Sequence, residues 1–191
     1  MSEDLLSLFR RTGALLDGHF VLRSGLHSRE YFQCALLLQY TDVAAKVCGW
    51  LADKLRQFDC DTVMSPALGG IIVGQEVGRA LGKRHIFVEK EDGKLVLRRG
   101  FQISKSEKFI VVEDVVTRGG RVQETIDIVR AHGGIVDLGG VDVTDPWLRH
   151  RCFSVSFASN PEADTLYSPC LACSFACCRM ATMRSTALAR C

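Results

Sequence analysis

Apolar side chains repeat at helical spacing in three stretches of the chain. The first stretch has Thr41 as its predicted cap and carries its apolar positions on one helical face: Val43, Val47, Trp50, Leu51 and Leu55. The second covers residues 71–81 and is expected to end at Gly82. The third has its inner face at Val122, Ile126 and Val129 and is expected to stop at Gly133-Gly134.

Short apolar runs between these stretches predict strands at residues 61–65, 85–88, 109–112 and 135–143. The run at 109–112 is apolar throughout, as is typical of a central parallel strand. Residues 94–100 are typical of an exposed β-hairpin. Strands that alternate with helices predict an α/β domain with a mainly parallel sheet flanked by helices.

Composition and charge narrow the class of protein. The chain has 191 residues, 47% of them hydrophobic and 24% charged, and a net charge of +2. This is the composition of one soluble globular domain. No dense block of Lys and Arg is present, so nucleic acid is not an expected partner. The acidic N-terminus and the lack of a run of about 18 apolar residues predict no secretion signal and no membrane partner, hence a cytoplasmic location.

Residues 146–191 differ in composition from residues 1–145. They hold five Arg, no Lys and six of the nine cysteines. Cys34, Cys48 and Cys60 lie earlier and are expected to be small buried hydrophobic residues. Cys170 and Cys173 form a CxxC pair, which is half of a zinc site, and we regard zinc as the minority interpretation. A disulfide framework conflicts with a cytoplasmic location.

Candidate chemistry begins where the strand at 109–112 ends. Glu113 and Asp114 come first, and a turn containing Gly119 and Gly120 then leads into a helix. Backbone N–H groups converge on an anion in this context, and Gly lets a phosphate approach closely. Thr117 adds a hydroxyl donor, and positive charge comes from the two arginines Arg118 and Arg121.

The spacing of this segment excludes two common phosphate motifs. It has neither the GxxxxGK[ST] pattern nor the GxGxxG pattern. Carboxylates would repel a phosphate, so they are expected to bind ribose hydroxyls, directly or through Mg²⁺ and water. A phosphorylated sugar fits both parts. The alternative is a strand that ends in an ordinary solvated turn, but the combination of acids, Thr, basic residue and Gly-Gly favours a binding site.

Residues 109–121 resemble the phosphoribosyl-pyrophosphate signature of the type I phosphoribosyltransferases at every position. The resemblance implies a parallel α/β core with a small hood formed by the N-terminal segment. It implies ribose-binding acids at Glu113 and Asp114, which continue through Val115 and Val116 into a 5′-phosphate cradle at residues 117–121. The loop at 65–70 resembles the family's pyrophosphate loop, and its expected binding residues are Ala67, Leu68, Gly69 and Gly70.

A second segment, residues 18–33, resembles the hood of the orotate phosphoribosyltransferases. The resemblance implies that Arg23 lies near the pyrophosphate and orotate, and that the pair Tyr31-Phe32 packs against orotate, with Thr117 also touching it. A flat anionic pyrimidine favours a stacking surface and cationic donors. The alternative is that Tyr31 and Phe32 are core aromatics, and the matching LRSGLHS context favours the binding interpretation.

The chain departs from the family pattern in two loops. Many relatives have a lysine where Gly69 stands, and their catalytic loop is longer and contains a histidine. Here Lys90, Lys94, Arg98 and Arg99 are the cations available to neutralise departing pyrophosphate. Lys90 matches a basic position of the family and is the expected catalytic cation. The other expected catalytic residues are the acids Glu113 and Asp114. The alternative for each is a solvated surface cation.

The resemblance covers about residues 10–145, with the hood at about 1–40 and the core at about 41–145. Relatives end the next strand in an Asp-Arg pair whose arginine holds orotate, whereas Pro146 follows Asp145 here. We hypothesise that residues 146–191 come from a shifted reading frame or form a divergent terminus. Arg149 is a candidate to replace the missing arginine, but no geometric argument supports it.

The resemblance implies an enzyme that converts orotate and phosphoribosyl pyrophosphate to orotidine 5′-monophosphate and pyrophosphate. It also implies Mg²⁺ bound mainly through the substrate rather than by a protein metal site, and a homodimer. A purine phosphoribosyltransferase is an alternative that the segment at 18–33 argues against. A non-catalytic sensor of phosphoribosyl pyrophosphate is a second alternative.

Overall fold

A computed structural model describes residues 4–21, 25, 27–116 and 119–136, and the backbone of 154–156. The helices are α1 (Leu5–Arg11), α2 (Cys34–Leu38), α3 (Thr41–Leu55), α4 (Gly69–Leu81) and α5 (Gly120–Ala131). The strands are β1 (Leu15–Val21), β2 (His27–Phe32), β3 (Thr62–Pro66), β4 (Arg84–Glu91), β5 (Lys94–Leu97), β6 (Lys108–Glu113), β7 (Ile135–Val136) and β8 (Ser154–Ser156).

The described strands form a central sheet in the order β5-β4-β3-β6-β7, with β8 beside β6. Strands β3, β4, β6 and β7 are parallel, whereas β5 and β8 pair antiparallel with β4 and β6. Strand β6 is central and its apolar residues are buried, because parallel sheets are covered on both faces. The predicted α/β fold class is confirmed.

Each face of the sheet has its own apolar layer. On one face, Val63, Ile110 and Val112 pack with the buried residues of α3 and α4. On the other, Met64 and Val111 pack with the inner face of α5, which consists of Val122, Ile126 and Val129. Successive strand residues therefore alternate between the α4 face and the α5 face.

The N-terminal segment forms the predicted hood as a separate antiparallel pair of strands, β1 and β2. Asp4 is the N-cap of helix α1, and its carboxylate accepts a 2.7 Å hydrogen bond from the Ser7 N–H. The ring of Phe9 packs edge-on against Phe32, with centroids 5.1 Å apart. This contact anchors the hairpin to α1.

Most element boundaries lie within one or two residues of those predicted, and one capping prediction is wrong. Thr41 is the first residue of α3, and Tyr40 takes the N-cap position without a side-chain hydrogen bond. Helix α4 starts at Gly69 rather than at residue 71, and it ends at Gly82 as predicted. Strand β4 continues to Glu91 because it forms a hairpin with β5.

The three early cysteines are buried, as predicted: Cys34, Cys48 and Cys60. Burial raises the pKa of the Cys48 thiol to about 12, which is the behaviour of an inert core cysteine. Within the described ranges, no helix is long and apolar enough to cross a bilayer. The expectations for residues 137–153 and 157–191 lie outside the described residues.

Candidate active site

Two loops meet at the carboxyl edge of the sheet. The first connects β3 to α4 through Ala67 and Leu68, and the second connects β6 to α5. Because β3 and β6 are parallel neighbours, both loops leave the sheet at the same edge. Ligands of open α/β sheets bind at this edge. The predicted pyrophosphate loop and the predicted ribose-phosphate segment are therefore adjacent.

The Asp114 carboxylate lies directly against Gly69, the first residue of α4. A Cβ built on Gly69 would overlap the carboxylate, so the close approach requires glycine. A helix N-terminus also favours a neighbouring negative charge. A side chain at position 69 would require the Asp114 carboxylate to move.

Glu113 is a buried acid with an unused oxygen. The residue is 1% exposed, and its Oε1 accepts a 3.3 Å hydrogen bond from the Asp114 N–H. Oε2 has no hydrogen-bond partner among the described residues, and Arg121 Nε is 3.7 Å away. Burial raises the pKa of Glu113 to about 9, so the carboxyl is protonated at neutral pH. A buried unpaired oxygen is costly and indicates a place for a ligand.

The N-terminus of α5 forms the second half of the site. Gly119 has φ of 73°, a left-handed conformation that favours glycine, and it caps the helix. A cavity of about 50 Å³ lies between this turn and Glu113. Arg121 donates a hydrogen bond from Nη2 to the Ala67 carbonyl, so it connects the α5 turn with the other loop.

The pyrophosphate loop is tied to strand β4. The Ala67 N–H donates a 2.7 Å hydrogen bond to the Val88 carbonyl, and the Ala67–Leu68 peptide is cis. The Leu68 side chain is 82% exposed, so its contribution to binding is expected to come from the backbone. Gly70 is buried, and Val115 and Val116 are half-buried beside the loop that follows β6.

The two hood aromatics lie on opposite faces of β2. Phe32 is 9% exposed and packs on Phe9, and its packing against orotate stays a prediction. Tyr31 is 38% exposed and contacts Phe20, with ring centroids 5.4 Å apart. Adjacent residues of a strand point in opposite directions, so one ligand cannot stack on both rings. Tyr31 stays a candidate.

Two of the hairpin cations form ion pairs with acids of the same hairpin. Arg99 forms a two-point ion pair with Glu89, at 2.8 and 2.9 Å, and Arg98 contacts Glu91 at 2.8 Å. Ion pairing with Arg99 lowers the pKa of Glu89, and both arginines are largely neutralised. Lys90 is exposed and shares the α5 face with Val88 and Glu113. Two strand spacings, about 10 Å, separate β4 from β6.

Three predicted site residues lie outside the described residues: Arg23, Thr117 and Arg118. Within the described part of the chain, no group of three or more His, Cys, Asp or Glu is placed to hold a metal ion. Sequence reasoning missed one polar contact beneath the site, between Ser65 and His85. Gly74 could have indicated this contact, because a glycine on the inner face of α4 leaves room for a large side chain, such as His85, on the strand below.

A larger cavity of about 450 Å³ lies at the opposite edge of the sheet, and its lining residues include Arg56, Asp59, Cys60 and Lys83. These residues precede β3 and β4, at the amino ends of the strands. Neither loop that carries the candidate chemistry is among its lining. The smaller cavity beside Glu113 is therefore the one that belongs to the site.

Solved structures show which known fold the chain shares. The orotate phosphoribosyltransferase of Aeropyrum pernix superposes with a TM-score of 0.58 at 23% identity, covering 78% of this chain and 91% of that one. The adenine phosphoribosyltransferase of Thermoanaerobacter pseudethanolicus gives a TM-score of 0.56 at 17% identity, covering 68% and 83%. The two act on different bases, so this likeness defines the type I phosphoribosyltransferase fold and no more.

Curated relatives define the family. No protein-family model matches the chain. The orotate phosphoribosyltransferase of Chlorobaculum parvum is 50% identical over 144 residues, which cover 75% of this chain and 74% of the relative. That of Pelotomaculum thermopropionicum is 49% identical over 139 residues, 73% of each chain. The chain belongs to the orotate phosphoribosyltransferase family.

Proposed function

We propose that the chain transfers the phosphoribosyl group of 5-phosphoribosyl 1-diphosphate to orotate, giving orotidine 5′-monophosphate and pyrophosphate. This is a step of pyrimidine biosynthesis. The observation that carries the proposal is 50% identity over 144 residues to a relative of this name. The adjacency of an acid-glycine segment and a glycine loop at one sheet edge supports it.

The acids and the two loops have separate roles in the proposal. Glu113 and Asp114 orient the ribose through its hydroxyls, which suits a buried oxygen that lacks a partner among the described residues. Residues 117–121 anchor the 5′-phosphate at the N-terminus of α5. Residues 67–70 hold the pyrophosphate at the N-terminus of α4, whose positive end favours an anion. Arg121, which now contacts Ala67, lies between the two phosphate subsites.

The reaction is a displacement at the anomeric carbon through an oxocarbenium-like state. The C–O bond to pyrophosphate breaks while the C–N bond to orotate forms, and the proton on that orotate nitrogen passes to the departing pyrophosphate or to solvent. The protein contributes mainly position and charge. The carboxylate of Asp114 supports the positive sugar. Lys90 is the cation that stabilises the negative leaving group, because it matches a basic position of the family and because Arg98 and Arg99 are already paired.

Mg²⁺ is proposed as the cofactor, bound mainly through the pyrophosphate. The donor set fits, because Mg²⁺ binds one or two carboxylates together with substrate phosphates and keeps several waters. Asp114 is the carboxylate that adjoins the pyrophosphate loop. The ion would neutralise part of the charge on the leaving group.

Orotate is proposed to lie between the hood and the core, near Tyr31, Arg23 and Thr117. We also propose a cytoplasmic homodimer. Leu68 and Ile72, one helical turn apart, are 82% and 42% exposed, and they form an apolar surface beside the pyrophosphate loop that a second copy could cover.

A single assay tests the proposed activity. The full chain is mixed with Mg²⁺, phosphoribosyl pyrophosphate and orotate, and the loss of orotate absorbance is followed. Adenine, hypoxanthine and guanine are run in parallel. Consumption of orotate alone is expected. Turnover of a purine would overturn the choice of base, and sugar-phosphate binding without turnover of any base would favour the sensor.

A further inference from the structure

A polar pair, a buried serine and a half-buried histidine, lies beneath the pyrophosphate loop. Ser65, the penultimate residue of β3, is 0% exposed, and its Oγ is 2.9 Å from Nε2 of His85 on β4. The parallel register pairs Ser65 with Phe87, so His85 is its diagonal neighbour on the α4 face of the sheet. The last buried hydroxyl before the loop is thus held by a side chain of the next strand.

Helix α4 rests on this pair. A Cβ on Gly74 would overlap the His85 ring and lie 2.8 Å from Ser65 Oγ. A Cβ on Gly70 would lie 3.2 Å from the Cβ of Ser65 and 3.2 Å from Oε1 of Glu113. The first two turns of α4 therefore contact Ser65 and His85 without intervening side chains. The height of the helix above the sheet depends on the shape of this pair.

The imidazole brings no charge under the loop. Burial lowers the pKa of His85 to about 4, so the ring is neutral at physiological pH and its contact with Ser65 is a hydrogen bond between neutral groups. Hydrogen bonds of this kind fix geometry in a dry environment, because a buried hydroxyl that loses its partner is costly. The pair is thus suited to hold an element in place.

We propose that His85 is a positioning residue for pyrophosphate. Through Ser65 it fixes the first turn of α4, and with it the N–H groups of the loop at 67–70. The inference rests on the proposed function and adds to it a residue that touches no substrate. Misplacement of a binding group by about 1 Å lowers rates by about 100-fold, so a support residue of this kind has a measurable effect.

Four variants test the proposal: Ser65→Ala, His85→Leu, the double variant, and His85→Gln, whose amide reaches the place of Nε2. We expect Ser65→Ala and His85→Leu to raise the KM for phosphoribosyl pyrophosphate and the Ki for product pyrophosphate by about 10-fold. The KM for orotate should stay within about 2-fold. The double variant should be no worse than His85→Leu, because residues that act through each other are not additive. His85→Gln should recover most of the loss.

The control is His132→Gln on the exposed end of α5, which should leave all constants unchanged. Additive losses in the double variant, or a Gln variant as impaired as Leu, would overturn the proposal and leave His85 as packing. Circular dichroism checks folding, and if His85→Leu does not fold, Ser65→Ala and His85→Gln still decide. A wild type that consumes no orotate contradicts the proposed function. If the wild type is active and the variants keep its KM for phosphoribosyl pyrophosphate and its Ki for pyrophosphate, only this inference is contradicted.

Discussion

Glu113 shows at the scale of one residue how a binding site weakens a fold. Its carboxyl is buried and protonated, and one oxygen lacks a partner among the described residues. Below the unfolded pKa of about 4.5 both states carry the proton. As the pH rises toward 9, the unfolded chain releases that proton and the folded chain keeps it, so stability is lost over this range.

Glu113→Gln should therefore stabilise the ligand-free protein at pH 8 by about 1–3 kcal/mol, because it removes the preference of the unfolded state for ionisation. At pH 4 the change should be near zero. Thermal unfolding at both pH values measures the effect. Glu124→Gln, on the exposed side of α5, is the matched control. An equal shift of Tm at both pH values would contradict the assigned protonation state. Activity of Glu113→Gln should fall despite the gain in stability.

Gly69 has the opposite character, since it serves the site through the absence of a side chain. Gly69→Ala should displace the Asp114 carboxylate, because a Cβ there overlaps it. We expect the KM for phosphoribosyl pyrophosphate to rise by about 10-fold, with little change in Tm. Gly49→Ala in α3 is the control, because nothing lies within 4 Å of its Cβ position and alanine favours a helix. Equal kinetic constants in the two variants would contradict a role of the contact between Asp114 and Gly69 in substrate binding.

At the scale of elements, strand β4 supplies three functions along one length of chain. His85 supports α4, the Val88 carbonyl holds Ala67, and Lys90 continues beyond the sheet edge into the hairpin with β5. The ion pairs of Arg98 and Arg99 with Glu89 and Glu91 stiffen that hairpin. Exposed ion pairs contribute little stability, about 0–1 kcal/mol each, so their effect here is on charge and shape.

Lys90 is the hairpin cation expected to act on the leaving group. Lys90→Ala should lower kcat by about 10- to 100-fold with a smaller change in the KM for orotate, because charge stabilisation acts in the transition state. Lys105→Ala, an exposed lysine in the connection before β6, is the control. Steady-state kinetics with both substrates measures the split. If Lys90→Ala keeps the wild-type kcat, Lys90 is a solvated surface cation with no role in catalysis.

At the scale of the whole molecule, the chain matches 74% of the length of its Chlorobaculum relative, and the composition changes after Asp145. The shifted-frame hypothesis has a direct test. Translation of the gene in its other two frames beyond codon 145 should give an arginine next to an aspartate and a family-like ending. If neither of the other frames gives such an ending, the shifted-frame hypothesis is wrong and residues 146–191 are a divergent terminus.

The sequence predicted the layers of the fold because its apolar periods are strong, and it predicted the two loops because their glycines stand between strands and helices. It failed where neighbours in space decide. Thr41 is not the cap because α3 begins one residue earlier than predicted, and the packing of Phe32 on Phe9 is a contact between distant elements that no local pattern encodes. The pairing of Arg99 with Glu89, across a hairpin, likewise depends on register.

Glu113 also gives the site a carboxyl that holds one proton at neutral pH. In its proposed role the carboxyl accepts hydrogen bonds from ribose hydroxyls, and the ionised form accepts them better than the neutral one. Binding of the sugar phosphate would then release that proton into the solvent. Sugar-phosphate binding would tighten as the solution becomes more alkaline, up to a pH of about 9, and the heat of binding would vary with the ionisation enthalpy of the buffer.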